Sequence, residues 1–204
     1  MKALVIVDIQ NDFMPGGALA VPSADEIIPM INALIPKFSF VVATKDWHPP
    51  DHVSFAANHP GRKIGDVIRV GDIDQILWPV HCVRNTHGAD FVSSLDTANF
   101  ASIFYKGTDK NIDSYSAFFD NAHRKSTGLG DYLKSRGVNE IYLGGLTTDY
   151  CILYSTMDAV DLGFKVKVVV DACRPINLDP RDEQRSFEAM AAKGARIIKS
   201  SDLH

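Results

Sequence analysis

Cysteine is scarce in this 204-residue chain, with only Cys82, Cys151 and Cys173. An odd, sparse set excludes a disulfide framework and suits a reducing compartment, so at least one thiol is free. Long apolar runs are missing too. The N-terminal MKALVIVDIQ is broken by Asp8 and too short for a signal-peptide core, and nothing approaches the roughly 20 apolar residues of a membrane span. The expectation is an unprocessed cytoplasmic protein with no membrane partner. Nor is there an excess of positive charge. Lys and Arg number 21 against 25 Asp and Glu, a net charge of −4, which gives no electrostatic footprint for nucleic acid. Repeats and low-complexity tracts are absent, which excludes collagen, coiled coil and disorder. What is present is 46% hydrophobic and 23% charged residues, the composition of one globular domain spanning residues 1–204. Its partner should be small and weakly charged.

Short, β-branched apolar runs alternate with helical segments. The runs are Ala3 to Val7, Phe38 to Thr44, Ile103 to Tyr105, Glu140 to Leu143, Lys165 to Val170 and Arg196 to Ile198. They are near-continuous, as strands buried on both faces of a parallel sheet are. Ser23-Ala-Asp-Glu26 forms a capping-box pattern ahead of Ile27, Ile31, Leu34 and Ile35 at helical spacing. Further helices are predicted over about Leu129 to Arg136, Thr148 to Leu162 and Arg181 to Lys193, each closed by the glycine that follows: Gly137, Gly163 and Gly194. Strand–helix–strand order with short connections predicts an α/β fold, a three-layer αβα sandwich around a mainly parallel sheet of about six strands. About 50 residues, 47–99, break this rhythm as an irregular insertion, and such insertions are usually functional.

Ligands of open parallel sheets bind beyond the carboxyl ends of the strands. Four runs end there in chemistry-bearing residues: Asp8; Asp46 with His48; Lys106; and, past Gly144-Gly-Leu-Thr-Thr-Asp-Tyr, Cys151. Any one of them alone is more often a solvated loop residue, but four converge on one rim. Cys151 should lie in the first turn of a helix capped by Thr147 or Thr148, where unpaired N–H groups favour a thiolate and can stabilise an oxyanion. The alternative for this thiol is a small buried hydrophobe, which is the expected state of Cys82 and Cys173. Asp8, partly buried after four apolar residues, would have a raised pKa suited to a base. Lys106 would balance it, either as part of the chemistry or as a structural ion pair. Among seven histidines, Asp46-x-His48-x-x-x-His52 and, later, Trp78-Pro-Val-His81 assemble an imidazole and carboxylate set suited to one divalent ion, Zn, Mn or Fe, with positions left open. His59, His87, His123 and His204 read as surface residues.

DIQNDF from Asp8, GGALAV from Gly16, KDWHPPDHVSF from Lys45, WPVHC from Trp78, FYKG from Phe104 and GGLTTDYC from Gly144 occur in this order along nearly the whole chain. Together they resemble the nicotinamidases of the isochorismatase-like cysteine hydrolases. That resemblance implies a hydrolase that converts nicotinamide and water to nicotinate and ammonia in NAD salvage, through a thioester, with pyrazinamide as an alternative substrate. It implies a catalytic triad of Asp8, Lys106 and Cys151. Its metal ligands would be Asp46, His48 and His81, with His52 a further ligand in some members and zinc the first candidate ion. It also implies a cis Leu146-Thr147 peptide that aims the N–H groups of Thr147 and Cys151 at an oxyanion, and self-association in some form. Thr147 departs from the alanine common in relatives. Phe13, Trp78 and Tyr115 are the aromatic residues expected to hold the ring. Two competing readings are another amide or carbamoyl hydrolase, for which a ring-anchoring metal has no use, and a non-catalytic metal-binding module, which would not need the triad.

Overall fold

The computed structural model describes residues 1–203; His204, expected at the surface, lies outside them. Six strands form one parallel sheet: β1 (Lys2–Val7), β2 (Val41–Asp46), β5 (Phe100–Lys106), β6 (Glu140–Leu146), β7 (Lys165–Arg174) and β8 (Arg196–Ile198), in the order β5-β2-β1-β6-β7-β8. Every predicted run is a strand, and β1 is central. Leu4 and Ile6 pack on one face of the sheet with Ile28, Ile31 and Leu34 of α1 (Ile28–Leu34). Ala3, Val5 and Val7 face the other side, against α2 (Leu129–Ser135), α3 (Leu153–Asp161) and α4 (Asp182–Lys193). Both faces of β1 are therefore dry, which is why its sequence is continuous rather than alternating. The chain runs outward from β1 through β2 to β5, then crosses back to β6 on the other side of β1. The switch point between β1 and β6 is where such sheets bind ligands.

Two local expectations are corrected. Ser23 does not cap a helix with its side chain. It sits at φ +55, followed by a 3-10 turn (Ala24–Ile27) before α1, and Glu26 turns away to pair with Arg174. Thr147 is the extended residue ahead of the nucleophile turn as predicted, but its hydroxyl makes no cap bond. The turn that follows, Thr148–Ile152, is a π turn leading into α3.

The insertion is not wholly irregular. Val67–Val70 (β3) and Ile73–Ile76 (β4) form an antiparallel hairpin joined by Gly71-Asp72, with Gly71 at φ +60. A glycine opening a two-residue loop between two alternating runs is the signal that could have revealed it. Among the described residues, no helix is long and apolar enough to cross a membrane.

Candidate active site

The four chemistry-bearing segments end on four adjacent strands, β5, β2, β1 and β6. Asp8 leaves β1 in the left-handed region at φ +52 and is fully buried. Beside it β6 passes so close that a Cβ on Gly145 would lie 2.1 Å from the Val7 carbonyl oxygen, and Gly145 itself sits at φ +130. Only glycine allows this approach, and it brings the nucleophile turn to the end of β1. The Leu146-Thr147 peptide that enters the turn is cis, as the resemblance implied.

Lys106 joins the groups. Its ammonium lies 2.8 Å from Asp8 Oδ2, hydrogen-bonds Asp46 Oδ1, donates to the Ser114 carbonyl at 3.2 Å and reaches Cys151 Sγ at 3.3 Å. The Thr44 hydroxyl donates to Asp8 Oδ1 at 2.7 Å, whereas Oδ2, despite its contact with the ammonium, has no aligned hydrogen bond. Burial pushes Asp8 up to about 6 against the opposing pull of Lys106. Asp46 is also pushed up by burial, but Lys106, His48 and His81 together outweigh this and hold it far below the usual carboxylate range. One ammonium thus serves two carboxylates unequally. Cys151 follows the buried-thiol alternative rather than the helix-start thiolate. Burial drives its thiol well above the ordinary value, and Lys106 only partly offsets this. The nucleophile is stored protonated, so a base is required.

Asp46, His48 and His81 are buried, with potential ligand atoms within 4.8 Å of one another. His48 Nδ1 lies 2.9 Å from the Gly107 carbonyl and His81 Nδ1 lies 2.8 Å from the Pro79 carbonyl. Carbonyls only accept, so each Nδ1 carries a proton and Nε2 is the ring atom left to face an ion; burial pulls His48 down, but the Asp46 carboxylate outweighs it and raises His48 above its ordinary value. Those Nε2 atoms face Asp46 Oδ2 at 3.7 and 3.8 Å. Burial and the neighbouring His48 lower His81 to about 4, which keeps its imidazole neutral and ready to ligate. The donor set fits a divalent ion. His52 stacks on His48 with centroids 4.2 Å apart, but both its nitrogens are engaged, Nδ1 with Ser54 Oγ at 2.7 Å and Nε2 with the Ile112 carbonyl at 3.3 Å. It groups with His48 and Asp113 rather than with Asp46 and His81.

Asp46, His48, His81, Thr147 and Cys151 line one narrow cavity of about 20 Å³ together with Phe13, Trp78 and Tyr115, the three aromatics named from sequence. Leu19, Asp113, Tyr150 and Ile176 also line it and were not anticipated. Another residue missed is Gln10. Its amide clamps Asp46 from both sides, Oε1 accepting from the Asp46 N–H and Nε2 donating to the Asp46 carbonyl, each at 2.8 Å. Its place in DIQNDF, two residues after Asp8, was the available clue.

Residues 2–202 match the isochorismatase domain family. The nicotinamidases of Acinetobacter baylyi and Escherichia coli are 43% and 41% identical to the chain, covering 98% of it and 94% and 96% of themselves. Among solved structures, a nicotinamidase/pyrazinamidase of Acinetobacter baumanii superposes with TM-score 0.97 at 46% identity, over 100% of this chain and 98% of that one. The yeast nicotinamidase bound to the inhibitor nicotinaldehyde gives 0.91 at 34%, over 98% and 100%. A Pyrococcus horikoshii pyrazinamidase in complex with zinc gives 0.81 at 39%, over 97% and 98%. The chain belongs to the isochorismatase domain family, with the nicotinamidases as its relatives along nearly its whole length.

Proposed function

We propose that this chain, one hydrolase domain with its metal-bearing segment at about 47–99, hydrolyses nicotinamide to nicotinate and ammonia by cysteine catalysis, and that it also accepts pyrazinamide. The observation that carries the reading is one small aromatic-walled cavity lined by the Cys151 thiol and by an ion-binding trio, with the Asp8 carboxylate buried behind the thiol on the shared Lys106 ammonium. Relatives named for the same ring amides support the choice of substrate.

Phe13, Trp78 and Tyr115 hold the flat ring, so that attack on the carboxamide carbon becomes nearly intramolecular. Asp8 takes the proton from Cys151 as its sulfur bonds to that carbon. The carboxamide oxygen becomes an oxyanion, met by the backbone N–H groups of Thr147 and Cys151. Lys106 offsets the negative charge that gathers on Asp8 and sulfur during the attack. The adduct collapses by breaking the C–N bond, and the nitrogen takes the Asp8 proton and leaves as ammonia. A water that gives its proton to Asp8 then adds to the thioester, the C–S bond breaks as Asp8 returns that proton to the sulfur, and nicotinate leaves. A divalent ion held by Asp46, His48 and His81, zinc by analogy with the Pyrococcus relative, would supply a Lewis-acid contact for the ring nitrogen.

The test is ammonia release from nicotinamide by the purified, zinc-supplemented protein, with Cys151→Ala alongside. Turnover by the parent and none by a folded Cys151→Ala is expected. An inactive parent, or an alanine variant of full activity, would overturn the proposal.

A further inference from the structure

The β3–β4 hairpin has no part in the chemistry above, yet one of its side chains reaches the site. Gln75 is 2% exposed although it projects from a short, largely exposed hairpin. A buried primary amide must satisfy two N–H donors. Gln75 Nε2 lies 2.7 Å from the Ile76 carbonyl, 3.1 Å from Asp113 Oδ2 and 3.2 Å from the Tyr115 hydroxyl. The carbonyl and the carboxylate take both hydrogens.

From Asp113 the connections run inward. Its Oδ1 accepts the Ser114 N–H at 2.8 Å, and the Ser114 carbonyl accepts from Lys106 Nζ at 3.2 Å. In parallel, the Tyr115 hydroxyl accepts from Trp78 Nε1 at 3.2 Å. The Trp78 and Tyr115 rings both lean on Tyr150, with centroids 4.9 and 5.4 Å away. All three rings and Asp113 line the cavity.

We infer that Gln75 is a positioning residue for the ring-binding wall: by holding the Asp113–Tyr115 segment against the hairpin, it sets where Tyr115 and Trp78 stand before a planar ring enters. The inference rests on the proposed function only for the kind of ligand. Without its donor, Asp113 Oδ2 loses its partner from the hairpin, the segment is no longer tied to β4, and the ring pocket must be ordered at the moment of binding. That cost falls on binding of substrate and product alike, so it appears in KM and leaves kcat nearly unchanged.

The test uses Gln75→Met, which keeps length and removes the donor, and Gln75→Glu, which keeps shape and sets a carboxylate against Asp113. Each is measured for nicotinamide turnover and, by titration calorimetry, for nicotinate affinity. Loss of one hydrogen bond to a charged group predicts about a tenfold rise in KM and in the nicotinate Kd for Gln75→Met, and a larger rise for Gln75→Glu. Zinc content should remain that of the parent. An unchanged KM and Kd in either folded variant, or a fall in kcat at constant KM, would overturn the inference. Absence of turnover in the parent would instead refute the proposed reaction, while the nicotinate Kd would still report on Gln75.

Discussion

Replacing Gly107 by alanine tests the ion site without touching a ligand. Gly107 sits at φ +63, where any other residue costs about 1–2 kcal/mol. Its carbonyl accepts from His48 Nδ1, and an added Cβ would stand 2.2 Å from His48 Cε1 and 2.4 Å from Nδ1. The imidazole must retreat by at least about 1 Å to recover the roughly 3.5 Å of ordinary carbon contact, and it takes Nε2 away from Asp46 as it moves. Disturbing the partner that orients a ligating histidine typically costs about 10- to 100-fold in metal affinity. Gly128→Ala supplies the control, because Gly128 has φ +87 and nothing within 4 Å of a built Cβ. Both variants pay the backbone cost, but only one crowds the histidine. Zinc affinity measured by chelator competition, together with Tm, should show both variants less stable and only Gly107→Ala weakened in zinc binding. Equal zinc affinity in Gly107→Ala and parent would refute the assignment of His48 Nε2 as a ligand.

Three further outcomes are expected. Because Asp8 is raised to about 6, it loses its open lone pair to a proton as pH falls through that value, so kcat/KM of zinc-saturated enzyme should drop about tenfold per pH unit below it; a flat profile between about pH 5 and 7 would remove Asp8 as the base. Elemental analysis should find the ion lost from His48→Ala and His81→Ala and retained at parental stoichiometry by His52→Ala, and loss from the His52 variant would return that residue to the ligand set. Lys106→Ala leaves two buried carboxylates facing each other, which costs about 3–5 kcal/mol of stability, and it should lower kcat; a destabilised variant with parental kcat would make Lys106 a purely structural counter-ion.

The sheet was legible because β1, β2, β6 and β7 are buried on both faces, and such strands leave continuous apolar runs that few other structures produce. Residues that end those strands could then be located on one rim, which brought Asp8, Asp46, Lys106 and Cys151 into a single hypothesis. Gln10, Asp113 and Gln75 were not legible for a common reason. Each acts by bonding a segment distant in sequence, Gln10 to Asp46, and Gln75 and Asp113 to each other, and no local pattern marks such a partner. The state of the Cys151 thiol stayed open in the sequence, between a helix-start thiolate and a small buried hydrophobe, because its burial is set by tertiary packing. Once β6 closes on β1, desolvation exceeds what Lys106 returns.

That stored proton gives the shared lysine its significance. Two carboxylates around one buried ammonium cannot both be fully compensated, and the site divides them by their other neighbours. Asp46 has two imidazoles as well as Lys106 and stays ionised, as an ion ligand must. Asp8 has Lys106 and the Thr44 hydroxyl, lies deeper, and is left near the pKa of a useful base. Exchanging those environments would ruin both roles, since a carboxylate at 6 surrenders its metal in mild acid and one held far below the usual range does not accept a thiol proton. The division depends on Lys106 standing at hydrogen-bond distance from Asp46 while also touching Asp8 and Cys151, a position set by β5 pairing with β2 in the register Asp46↔Lys106. A slip of one residue would turn the ammonium to the opposite face of the sheet and leave both carboxylates uncompensated.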